Sequence, residues 1–239
     1  MLENIETVIF DFSGTLDTNG IPRCQIFLEI LKSEGFIIND KSYYNIFEES
    51  EEYIKCNIDN IAIDYKKLLK EQLAFIISRL PLLGYENKYN HERFINEIIF
   101  EIWSEIKNDI SISKDILETL KGRYKLGLVS NFYGNLEEIC VHLDLHKYFD
   151  VILDSTNVSI QKPHPGIFSI ALKKLNTLPE KTIVVGDSYE EDIVPSKIIG
   201  CKTIWLSKRK EKDYSNYESA DYVIHDLNIL RNITKNYKN

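Results

Sequence analysis

Apolar positions in this chain keep two different rhythms, and the change between them divides it. Thr7-Val8-Ile9-Phe10 has no polar alternation after Thr7, which predicts a strand covered on both faces of a parallel sheet. From Lys125 onward, apolar runs at about 126–130, 150–154, 182–186, 202–206 and 222–224 alternate with segments of helical spacing. This predicts an α/β fold, a doubly wound parallel sheet with right-handed crossovers. Between about Ile21 and Asp109 the period is helical instead. Leu68, Leu69, Leu73, Ile76, Ile77 and Leu80 share one stripe, and Phe94, Ile98, Ile102 and Ile106 share another. The expected organisation is an α/β domain from residues 1–20 and 110–239, interrupted by a smaller α-helical domain over 21–109. Thr18–Pro22 and Lys107–Ser113 are the expected hinges.

Composition narrows the function classes. A chain of 239 residues holds one substantial core plus an insertion. Its formal charge of −8, without a clustered basic face, argues against a nucleic-acid partner. Lys208-Arg209-Lys210 runs directly into Glu211 and is expected as a solvated loop, as Glu48, Glu49, Glu51 and Glu52 are expected on a solvated helix face. Cys24, Cys56, Cys140 and Cys201 are too scattered to pair around a metal, which fits a reducing, cytoplasmic setting. The amino terminus has no secretory pattern, and no apolar run reaches membrane-spanning length. Nothing in the pattern specifies an oligomeric state.

Candidate chemistry lies where the predicted strands end. Asp11 closes the first strand, and Gly14 allows a tight turn at the edge where open α/β sheets bind ligands. Leu126 to Val129 runs into Ser130-Asn131, a hydroxyl and an amide able to donate to a phosphoryl oxygen without adding charge. In Gln161-Lys162-Pro163-His164-Pro165-Gly166, a lysine precedes a helix expected to begin near Pro165. Such a lysine can neutralise an anionic substrate and a carboxylate together. Thr182 to Gly186 then delivers Asp187, followed by Glu190, Glu191 and Asp192. Taken singly, these are a turn, a solvated lysine and a helix-start acid. As an ordered series they point to one site.

With these four motifs in order over nearly the whole length, the chain resembles the haloacid dehalogenase-like hydrolase superfamily, phosphatase-like branch. Asp11 to Thr15 matches its nucleophile loop, Ser130 its second motif, Lys162 its third, and Gly186-Asp187 to Asp192 its acidic fourth. The resemblance implies a Rossmann-like core with an α-helical cap, and hydrolysis of a small phosphorylated metabolite. Asp11 would attack phosphorus, forming an aspartyl-phosphate. Mg²⁺ would be held by Asp11, the backbone carbonyl of Ser13 and Asp187, with Asp192 either a further ligand or a support behind them. Thr15, Ser130, Asn131 and Lys162 would bind the substrate.

Ser13 departs from that pattern. Phosphatases of the family place at this position a second aspartate, which protonates the leaving oxygen and then activates water. General acid-base assistance is worth about 10² to 10⁴-fold. Asp17, an acid of the helical insertion or the substrate itself are the candidate replacements. Two alternatives follow. One is a phosphonate- or halide-cleaving hydrolase of the same superfamily, with Lys55, Lys66, Lys67 and Lys70 available for a Schiff base. The other is a non-catalytic regulatory protein that binds a phosphorylated ligand.

Overall fold

The computed structural model describes residues 4–61, 64–80, 91–208 and 217–231. In chain order the main elements are β1 (Thr7–Phe10), α1 (Arg23–Ser33), α2 (Asp40–Ile61), α3 (Tyr65–Arg79), α4 (His91–Leu120) and β2 (Lys125–Ser130). They continue with α5 (Leu136–His142), β3 (Val151–Asp154), α6 (Ser155–Val158), α7 (Gly166–Leu175), β4 (Thr182–Gly186), α8 (Val194–Ile198), β5 (Lys202–Leu206) and β6 (Tyr222–Ile224). Of the basic loop, Lys208 is exposed, whereas Arg209, Lys210 and Glu211 lie outside the described residues. Contacts separate two compact units: Met1–Pro22 with Lys107–Asn239, and Arg23–Ile106.

The first unit is built on a six-stranded parallel sheet of order β3-β2-β1-β4-β5-β6. The apolar run of β1 is buried at all four positions because it is central, paired with β2 on one side and β4 on the other. Ile9, Val129, Leu153 and Val184 line one face, where α7 covers them with Ile167, Phe168, Ala171, Leu172 and Leu175. Chain order reverses about β1, so the crevice of this switch point lies beyond its carboxyl end. Asp11 is the next residue.

The second unit is helical, as its 3.6-residue spacing requires. Asp64 caps α3 by accepting from the backbone N–H groups of Lys66 and Lys67, and Leu68, Leu69, Leu73 and Ile76 are fully buried along one stripe. Tyr43 is a core side chain whose hydroxyl donates to the Cys24 carbonyl at 2.7 Å. Tyr44 is exposed, and Tyr53 stacks on Phe75 with ring centroids 4.8 Å apart. Glu48, Glu49 and Glu52 are solvated as expected, but Glu51 pairs with the buried Arg23 at 2.8 Å.

The expected hinge at Lys107–Ser113 is not a break in structure. It lies inside α4, where Ile102, Ile106, Ile110, Ser113, Leu117 and Leu120 continue one buried stripe without Gly or Pro. Asn108, Asp109 and Ser111 have low helix propensity, and the stripe overrides it. Ser113 is small enough to be buried there, and its hydroxyl donates to the Leu16 carbonyl at 2.7 Å.

Candidate active site

Three parallel strands deliver their end residues to one place. Asp11 follows β1, Ser130 ends β2, and Asp187 follows β4. After Asp11 the chain enters a kinked helical turn, Phe12–Leu16, in which Gly14 adopts φ +95°. A Cβ at Gly14 would lie 2.3 Å from the Asp187 carboxylate, and one at Gly186 would lie 2.3 Å from that of Asp192. Both glycines therefore make room for an acid. Beyond Asp187, Ser188 caps the turn Tyr189–Ile193, which brings Asp192 back beneath the strand end.

Lys162 ties the acids together. Its Nζ donates to Asp11 Oδ1 and to Asp192 Oδ1, each at 2.6 Å, and all three side chains are buried. Ser130 Oγ donates to the same Asp11 oxygen at 3.0 Å. Carboxylate oxygens of Asp11, Asp187 and Asp192 lie within 4.8 Å of one another. Burial opposes the Lys162 ammonium, but Asp11 and Asp192 outweigh it and raise its pKa above an ordinary lysine's. Burial pushes the Asp192 carboxyl up to about 7 against the opposing pull of Lys162. Asp187 is also raised well above the usual carboxylate range, by burial first and then by the charges of Asp11 and Asp192.

The donor set fits a hard divalent cation. One lysine against three carboxylates leaves two formal negative charges in a buried cluster of oxygen ligands. For Asp187 and Asp192, burial raises the carboxyl pKa first, and neighbouring negative charge adds to it. A metal would relieve that excess of charge.

Other expected site residues make hydrogen bonds of their own at the strand ends. Thr15 Oγ1 donates to Asp187 Oδ1 at 3.0 Å, orienting a carboxylate. Asn131 brackets the Lys162 backbone: its Oδ1 accepts from Lys162 N at 2.8 Å, and its Nδ2 donates to Lys162 O at 3.0 Å and to Glu191 at 3.3 Å. Ser13 is half-buried with extended backbone angles, φ −81° and ψ 121°. Asp17 is fully buried and accepts from Gly14 N at 2.7 Å and Thr18 Oγ1 at 3.1 Å, so it closes the loop. The Lys162–Pro163 peptide is cis.

Sequence reasoning missed Trp205. It pairs in register with Gly186, and its Nε1–H donates to the Asp187 carbonyl at 2.7 Å. Its ring packs against Tyr189 and Tyr217. The available signal was position, since Trp205 stands near the end of the strand beside β4.

The family model described as haloacid dehalogenase-like hydrolase matches residues 8–206. A glyceraldehyde 3-phosphate phosphatase of Methanocaldococcus jannaschii is 33% identical over 126 residues, 52% of this chain, and the chain spans 55% of that protein's length. A pyrophosphatase of Bacillus mycoides is 27% identical over 231 residues, 95% of each chain. Among solved structures, a magnesium-bound hydrolase of Bacillus subtilis shares the fold with a TM-score of 0.57 at 17% identity, covering 96% of this chain and 98% of its own.

Proposed function

The chain belongs to the haloacid dehalogenase-like hydrolase family, and we propose that it is a Mg²⁺-dependent phosphatase of a small phosphorylated metabolite. The observation that carries this reading is the convergence of Asp11, Asp187, Asp192 and Lys162 at the carboxyl edge of the sheet. The names of the similar proteins, a glyceraldehyde 3-phosphate phosphatase and a pyrophosphatase, support the substrate class.

Asp11 is the nucleophile. Lys162 and Ser130 both engage its Oδ1, so one oxygen anchors the carboxylate while the other attacks phosphorus. Asp11, Asp187, Asp192 and the backbone carbonyl of Ser13 would hold the metal, which when bound neutralises charge on the phosphoryl oxygens. Lys162 and Ser130 stabilise charge that develops on those oxygens, and Asn131 fixes Lys162 from its backbone. Thr15 keeps Asp187 oriented. We place the activity in the cytoplasm, a reading supported by the free thiols of Cys24, Cys56, Cys140 and Cys201. Among the described residues, no helix is long and apolar enough to cross a membrane.

Ser13 favours a second reading, a phospho-ligand trap that does not turn over. A panel of phosphate esters and acyl phosphates with and without Mg²⁺ separates the two. Metal-dependent turnover that disappears in Asp11→Asn supports the phosphatase. Ligand binding with no turnover of any ester or acyl phosphate supports the trap.

A further inference from the structure

In the α/β unit, the titratable side chains that the motifs supply already accept hydrogen bonds within the fold. Asp17 closes the nucleophile loop through Gly14 N and Thr18 Oγ1. Asp192 takes Lys162 Nζ at 2.6 Å and Ser188 N at 3.1 Å, and Asp187 takes Thr15 Oγ1 at 3.0 Å. Glu191 is held by Asn131, and the exposed His164 accepts from Gly166 N at 3.0 Å through Nδ1. Two residues beyond the nucleophile, the side chain is the Ser13 hydroxyl. A hydroxyl passes hydrogen bonds but neither gives up nor takes a proton readily near neutral pH. Asp17, Asp187, Asp192, Glu191 and His164 thus each already accept a hydrogen bond, and Ser13 brings only a hydroxyl to the nucleophile loop.

We propose that the site selects phosphoryl groups carried on a weakly basic oxygen, phosphoanhydrides and acyl phosphates ahead of alkyl esters, and that the aspartyl-phosphate on Asp11 accumulates during turnover. This rests on the reading of Asp11 as a phosphoryl-accepting nucleophile.

The chemistry has two steps. In the first, the bond from an Asp11 oxygen to phosphorus forms while the bond from phosphorus to the leaving oxygen breaks. The electron pair departs on that oxygen. A phosphate or carboxylate leaves as a stable anion without a proton, whereas an alkoxide needs one at the moment of cleavage. In the second, water attacks phosphorus, the bond to Asp11 breaks, and the carboxylate is regenerated. The proton of the water passes to the released phosphate rather than to a protein base. Without general base help this step slows by about 10² to 10⁴-fold. Attack on a good substrate is not slowed in the same way, so the covalent form builds up.

The test uses the full chain with Mg²⁺, acetyl phosphate, pyrophosphate, aryl phosphates of graded leaving-group acidity, and glycerol phosphate as the alkyl ester. The readouts are kcat/KM across the series and the intact mass of acid-quenched protein. The expected result is a steep rise in kcat/KM with leaving-group acidity, at least about 10²-fold between alkyl ester and anhydride. A phosphorylated protein should also appear in the quench and be absent from Asp11→Asn. Ser13→Asp, where it folds, should raise alkyl-ester turnover and abolish the accumulated phosphoprotein. Comparable turnover of alkyl and aryl esters, with no phosphoprotein, overturns the inference while leaving the phosphatase reading intact. Failure of every compound in the series, anhydrides included, with no phosphoprotein in folded enzyme, overturns the phosphatase reading and the inference with it. The wild-type series decides the matter even if Ser13→Asp misfolds.

Discussion

Each unit of this protein buries a cation, and the two are matched differently. Lys162, 3% exposed, faces Asp11 and Asp192 at 2.6 Å, with Asp187 in the same cluster. Arg23, 8% exposed, opens α1 of the helical unit and faces Glu51 at 2.8 Å. The Glu51 side chain is 35% exposed and also accepts from Gln72 Nε2 at 2.5 Å. A carboxylate that keeps contact with water loses little solvation, so the Arg23–Glu51 pair fits a packing role joining α1, α2 and α3. Around Lys162 the acids outnumber the base in a buried place, which is costly until further positive charge arrives. A buried charge near a partner is thus not in itself a sign of chemistry. An uneven count is.

The most direct way to break this contrast is at the nucleophile. Asp11→Asn should lower turnover of an aryl phosphate by roughly 10³-fold or more, with native circular dichroism. Near wild-type activity would strip the α/β cluster of its catalytic role. A paired comparison of the two cations comes next. Lys162→Met should cost about 3–5 kcal/mol of unfolding free energy in urea, because it strands two buried carboxylates, and Mg²⁺ should restore part of that loss. Arg23→Met should cost about 1–3 kcal/mol and respond to Mg²⁺ no differently from wild type. An equal Mg²⁺ response in both variants would erase the distinction between a balanced and an overmatched cation.

The same contrast explains what was legible in the sequence. In the α/β unit, strand ends serve as addresses: an apolar run says where the next polar residue will stand. Asp11, Ser130 and Asp187 were therefore readable, as were the parallel sheet and its apolar runs. Helical spacing carries no such address. It identified the buried stripe of α3, but not that Glu51 leaves the acidic face of α2 to meet Arg23, because that pairing depends on which turns of three helices meet. Within the site, the limit was the direction of side chains. Asn131 stands just past the end of β2, but its use as a clamp on the Lys162 backbone depends on how β2 and the Lys162 loop approach in space. Lys107–Ser113, a hinge candidate by position, begins where the two compact units divide, but it is continuous helix because the buried stripe of α4 runs through it.

Trp205 extends the comparison from charges to the frame that holds them. Trp205→Phe keeps an aromatic ring against Tyr189 and Tyr217 but removes the N–H donor to the Asp187 carbonyl. Loss of one neutral hydrogen bond is worth about 1 kcal/mol, so Mg²⁺ binding followed by calorimetry should weaken roughly fivefold. A fall in stability with unchanged Mg²⁺ affinity would make Trp205 a core residue only.

The smallest effect lies at the surface end of the scale, where Lys197 meets Asp221 at 2.5 Å beside β6. Burial works to raise the Asp221 pKa, but hydrogen bonds from Lys197 and Thr203 outweigh it and hold the carboxyl below its ordinary 3.8. A depressed folded-state pKa means that the charged form is favoured in the native protein. Its stabilisation is complete above the unfolded value and is lost as pH falls through the folded one. Asp221→Asn should therefore cost about 0.2–1 kcal/mol near neutral pH, measured by urea unfolding, and the gap from wild type should close as pH drops below 3.8. Added salt should narrow it further, because Lys197 and Asp221 are both partly exposed and open to screening. A gap that survives both acid and salt would mean that the Asp221 contacts to the Thr203 backbone and hydroxyl hold β6 through their geometry rather than through charge.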